Sequence, residues 1–141
     1  MLTLTRRDDW QARYSAFMNH QRLVPFVWGL NDCAIGFAFG AVEAITGHDM
    51  AEEFRDRYQD EAGAVTVMRA KGVKSLADLM ALYLPEHHPS QADIGDIGIV
   101  PDKSPLGGSL CLFDATGVIV RNTDGHAMRP RSDATRSFKV G

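Results

Sequence analysis

The stretch Pro25–Gly47, PFVWGLNDCAIGFAFGAVEAITG, constrains this chain more than any other. An apolar lead-in, Pro25-Phe26-Val27-Trp28, breaks at Gly29. The polar step Asn31-Asp32 follows, and Cys33 opens a run that is apolar on nearly every side until Gly47. Asn31 or Asp32 can cap a helix, because a short side-chain acceptor satisfies the free N–H groups of a first turn. Gly47 suits the position just past the helix end. The run between has no polar face, so it predicts a helix buried inside the domain. Gly36 and Gly40, one turn apart, let another element approach its backbone. A cysteine therefore stands at the first turn of a buried central helix, where free N–H groups and the helix dipole favour the thiolate.

The 141 residues suggest one domain, spanning 1–141, around one core. Net charge is −3, which gives no pointer to nucleic acid or to an anionic membrane. No stretch reaches the roughly 20 apolar residues of a membrane span. The start, MLTLTRRDDW, lacks the apolar segment of a secretory signal. Two cysteines are too few for a disulfide framework and lack zinc spacing.

Around the central helix the pattern is helical first and extended later. Residues 5–20 predict an amphipathic helix with Trp10, Tyr14, Phe17 and Met18 on one face. Asp49 can cap a helix through Tyr58, Asp60 one that stops at Gly72, and Ser75 one that ends before Pro85. EHHPSQAD, from Glu86 to Asp93, reads as a polar loop. His87-His88 are adjacent, cannot easily share one ion, and have no second ligand pair, so neither a metal nor a cofactor is expected. From Gly95 on, DIGIV, SLCLF, VIVRN, HAMRP and SFKV are short β-type runs between tight turns, which favours antiparallel pairing. The expected fold is α+β, with the buried helix packed on a small C-terminal antiparallel sheet or half-barrel.

A cysteine opening a helix that packs on a later antiparallel sheet is the arrangement of papain-like cysteine hydrolases. Trp28-Gly29-x-Asn31-Asp32-Cys33 resembles the nucleophile motif of the NlpC-type cell-wall cysteine peptidases, and Gly95-Asp96-Ile97-Gly98-Ile99-Val100 resembles the strand before their catalytic histidine. More closely, the chain resembles a phage- and prophage-encoded branch of that superfamily. Its further marks here are Thr46-Gly47-His48-Asp49, Arg57-Tyr58 and the closing Ala134-Thr135-Arg136-Ser137-Phe138. The resemblance implies an NlpC-type papain-like domain in a tail-tip or baseplate component of a phage or gene-transfer particle. Such a protein is made in the host cytoplasm, resides in the virion tail, and contacts the hub and other tail proteins.

One departure matters. The resemblance places the histidine base at the head of Ser109-Leu110-Cys111-Leu112-Phe113, and serine occupies that position. A serine hydroxyl cannot take a thiol proton near neutral pH, whereas histidine titrates there. The following strand, which should orient the base, offers Arg121 or Asn122. Among the remaining histidines, His126 is the replacement candidate on the sheet; His87 and His88 could reach over from their loop, and His20 and His48 flank helices. If Ser109 stands in the histidine position, strand periodicity turns it and Cys111 toward Cys33; two buried small residues remain the plainer reading of the two cysteines. Trp28 either walls a cleft beside Cys33 or belongs to the core, and Asn31 and Asp32 flank the same spot. The expected function is a structural tail component with a degenerate peptidase site. The alternative is an active cysteine peptidase that cleaves stem peptides of peptidoglycan during DNA delivery.

Overall fold

Side-chain acceptors start the helices where the sequence offers them. The computed structural model describes residues 1–141. Asp32 accepts from the N–H groups of Ala34 and Ile35, Asp60 from Gly63, and Ser75 from Asp78. These caps launch the central helix, α3 (Glu61–Ala70) and α4 (Leu76–Tyr83). A first helix, α1 (Trp10–Gln21), precedes them. The central helix has two parts: a wide π-helical turn, Cys33–Ala38, and then α2 (Phe39–Thr46). Phe37 N–H reaches back five residues to the Asp32 carbonyl at 3.2 Å, the spacing of a π-turn. Gly47 ends α2 at φ +85°, a left-handed conformation that glycine adopts without a Cβ penalty.

The second half is a six-stranded antiparallel sheet of β1 (Glu86–His87), β2 (Ile97–Pro101), β3 (Gly108–Phe113), β4 (Val118–Asn122), β5 (Gly125–Arg129) and β6 (Arg136–Phe138), in the order β1-β6-β2-β3-β4-β5. Helices segregated from an antiparallel sheet define the α+β class expected from the sequence. The core lies between the two layers: Phe37, Phe39 and Ile45 from the central helix meet Ile97, Leu110, Leu112 and Phe138 from the sheet. A smaller apolar cluster, with Cys111, Phe113, Val118 and Val120, is covered by Ala92 and Ala134 from the segments flanking the sheet.

Three expected elements differ. The helix expected over 5–20 begins only at Trp10, because the backbone before it is committed elsewhere. Leu2 N–H bonds to the Tyr83 carbonyl and Arg7 N–H to that of Ile45. Arg6 binds the Val140 and Ile94 carbonyls and the buried Asp96 carboxylate, tying the start of the chain to its end. The helix expected from Asp49 to Tyr58 is a series of turns. Met50 and Phe54 are buried as the pattern required, but Asp56 adopts φ +61° and its N–H bonds to the Gly29 carbonyl. Part of the expected loop after Pro85 is strand β1, which pairs Glu86 with Phe138 and His87 with Ser137.

Candidate functional site

Cys33 sits where the sequence puts it, at the first turn of the central helix, half-buried and packed against the core. Its cap fixes the approach. Asp32 is 1% exposed and takes four hydrogen bonds. Oδ1 accepts from Ala34 and Ile35 N–H at 3.0 and 2.8 Å. Oδ2 accepts from Gly29 N–H at 3.0 Å and from the Tyr58 hydroxyl. The carboxylate thus closes the turn before the cysteine and clamps the 50–58 segment against it.

The electrostatics of the thiol oppose those of an activated nucleophile. Burial first, and then the Asp32 charge, push its pKa up to about 12; Asp102 adds to the rise, and a backbone hydrogen bond from Leu110 partly offsets it. Thiolates form beside cations, and the charges acting on Cys33 are carboxylates. The helix N-terminus alone does not reverse them.

Ser109, at the expected histidine position, is half-buried near the start of β3, paired with Val100. Leu110, the next residue, joins the core against which Cys33 packs. Ser109 and Cys111 therefore lie on the other side of the strand by alternation, and Cys111 belongs to the second apolar cluster. The expectation that Ser109 and Cys111 face Cys33 is corrected: Leu110 fills that face. Both cysteines are free. Burial raises the Cys111 thiol to about 12, and the charge of Cys33 contributes to the rise.

His126, the replacement base considered from the sequence, is engaged elsewhere. Its Nε2 lies 2.5 Å from Gln21 Oε1, and its ring packs edge-on to Phe37 at 5.0 Å between centroids. Burial, then the charges of Arg121 and Arg22, lower its pKa, so its cationic form is disfavoured. No hydrogen bond joins it to Cys33. Gln21 in turn donates through Nε2 to Asn31 Oδ1 at 2.6 Å. Asn31 Nδ2 donates to the Val24 and Pro25 carbonyls. Arg121, 4% exposed, donates to the carbonyls of Gln21 and Val24 at 3.1 and 2.6 Å. His126, Gln21, Asn31 and Arg121 thus form one polar belt that fastens the 21–31 segment to the sheet. Asn31 works in this belt, and Asp32 is the cap.

Trp28 is half-buried, stacked edge-on with Phe26 at 5.3 Å and in contact with the core. Of the two readings of Trp28, this contact supports the one with the core. The other histidines stay apart from Cys33. His87 Nε2 stands 3.5 Å from Asp96 Oδ2, His88 Nδ1 lies 2.7 Å from Ser90 Oγ, and His20 and His48 are exposed. No group of three or more His, Cys, Asp or Glu side chains is placed to hold a metal ion. Sequence reasoning missed Tyr58, Gln21 and Asp102 as partners of this site. Each arrives from another segment; Arg57-Tyr58 is marked by the resemblance, but nothing local shows that Tyr58 bonds to Asp32.

The fold and the site together define an α+β domain whose helix-borne cysteine is kept a thiol by burial and by the neighbouring Asp32 charge. The chain belongs to the family described as a domain of unknown function (DUF6950), whose model matches residues 5–140. No curated protein and no solved structure matches it.

Proposed function

We propose that this chain is a non-catalytic building block of a phage-like tail tip or baseplate, with an NlpC-type, papain-like fold whose nucleophile position is retained for packing. The observation that carries the non-catalytic reading is the setting of Cys33: burial and then the Asp32 charge hold its thiol protonated, and no nitrogen base is hydrogen-bonded to it. Loss of a general base alone removes about a hundredfold or more of rate. The tail assignment rests on the resemblance of the Trp28–Cys33 and Gly95–Val100 motifs to the phage-encoded branch. A contact role is supported by the segment beside Cys33. It exposes Leu23, Val27 and Leu30 to 74%, 45% and 50% while the polar belt holds its backbone. Apolar side chains on a preorganised loop lose little conformational freedom on binding a partner. Hub or neighbouring tail proteins would be those partners.

The test is the pH profile of Cys33 alkylation by iodoacetamide in a Cys111→Ser variant. The reading expects no faster reaction than a free thiol with pKa of about 8.5. An apparent pKa below about 6 would mean a cationic partner for the thiol and return the chain to the peptidases. In particles, Cys33→Ala is expected to leave assembly and infectivity intact. Intact but non-infective particles would favour peptidoglycan cleavage.

A further inference from the structure

The C-terminal end of α3 and the turn at 101–107, which also carries Asp102, enclose a concavity of about 460 Å³ that Cys33 does not line. Val65, Met68, Val73 and Pro105 give its lining an apolar part, beside Gly72. Its rim is cationic, with Arg69 and Lys74 lining it and Lys103 on the same turn as Pro105. All three cations are exposed. None of them takes part in the ion pairs of the molecule, which engage Arg6, Arg13, Arg55, Lys71, Arg129 and Arg136. The one acid on the turn, Asp102, turns its carboxylate to the Ser104 N–H.

We infer that this concavity binds an acidic segment of a partner protein, seating an apolar side chain on Val65, Val73 and Pro105 and its carboxylates on Arg69, Lys74 and Lys103. Charge complementarity selects the partner. In a chain of net charge −3, a cluster of unpaired cations beside apolar side chains is a local reversal of sign, and such patches steer and orient oppositely charged partners. A nucleic acid fits the same cations less well. Single-stranded nucleic acid is held by aromatic stacking platforms, and no aromatic residue lines this concavity. The inference does not depend on the state of Cys33 or on the tail assignment, so either can fail without the other.

The experiment uses the full chain, labelled with ¹⁵N, titrated with a synthetic peptide of alternating acidic pairs and single leucines. The expected result is amide shifts confined to the Val65–Lys74 segment and the 101–107 turn, weakening as salt rises. Arg69→Glu/Lys74→Glu is expected to weaken binding by about tenfold or more, since it removes two attractive charge contacts and puts repulsion in their place. Both residues are exposed, so folding should survive, which the spectrum of the variant checks directly. Three outcomes would overturn the inference: no shifts at millimolar peptide, equal binding by a peptide with lysine in place of the acids, or stronger shifts of the same amides with a single-stranded oligonucleotide.

Discussion

Asp32 shows how one side chain can serve the fold and set the chemistry of its neighbour. Its oxygens hold three backbone N–H groups and the Tyr58 hydroxyl at 1% exposure. Asp32→Ala would strand these donors, and each buried donor left unpaired costs about 1–3 kcal/mol. Urea unfolding should therefore show a loss of at least about 3 kcal/mol. Asp32→Asn keeps the shape and the two bonds at Oδ1, removes the charge, and gives up the acceptor for Gly29 N–H and the Tyr58 hydroxyl. Because that charge is second only to burial in raising the Cys33 thiol, the Asn variant should alkylate faster than the parent at the same alkaline pH. An unchanged rate would assign the whole rise to burial. The cap itself was legible, since a short acceptor before an apolar run announces it. Tyr58 was not, because it comes from a segment that the sequence pattern reads as a separate helix.

At the scale of elements, the caps at Asp32, Asp60 and Ser75, the stop at Gly47 and the later β-type runs were all written locally, and the structure uses each of them. What could not be read locally depends on partners far along the chain. The π-turn at Cys33–Ala38 is one case, because a run apolar on all faces looks the same at either helical pitch. The turns after Asp49 are another, diverted by the bond from Asp56 N–H to Gly29. Strand β1 is a third, since Glu86-His87 becomes extended only by pairing with β6. The small residues of the central helix mark places of close approach. A Cβ at Gly40 would come within 2.6 Å of the Phe17 ring, and one at Gly36 would overlap Asn31. Gly40→Ala should therefore destabilise by about 1–3 kcal/mol, the usual cost of overpacking. Adding Phe17→Leu, which removes the ring from that spot, should recover part of the loss. Full additivity of the two changes in thermal unfolding would show that α1 and α2 do not meet there.

Taken as a whole, the molecule buries several groups that must stay protonated, which sets its behaviour in alkali. Burial raises the Cys33 and Cys111 thiols from an ordinary 9.0 to about 12. It also raises the Tyr14 and Tyr58 phenols above their ordinary 10.0, with Asp114 assisting at Tyr14 and Asp32 at Tyr58. In the unfolded chain these groups lose protons near their ordinary values, while the folded chain keeps them. The unfolded state then binds fewer protons, so stability falls as pH rises. The contribution is fully present below about pH 9 and is lost progressively above it. Urea midpoints should accordingly hold steady from neutral pH to about 9 and then drop. Tyr14 separates this linkage from general alkaline damage. Its hydroxyl is buried without a hydrogen-bond partner, so Tyr14→Phe removes both an unsatisfied polar atom and a titration. The Phe variant should be no less stable than the parent at neutral pH, since an unpaired buried hydroxyl costs about 1–3 kcal/mol. It should also lose stability less steeply above pH 10, the ordinary phenol value. A variant that loses stability as steeply as the parent would take Tyr14 out of the alkaline linkage and leave it to the two thiols and Tyr58.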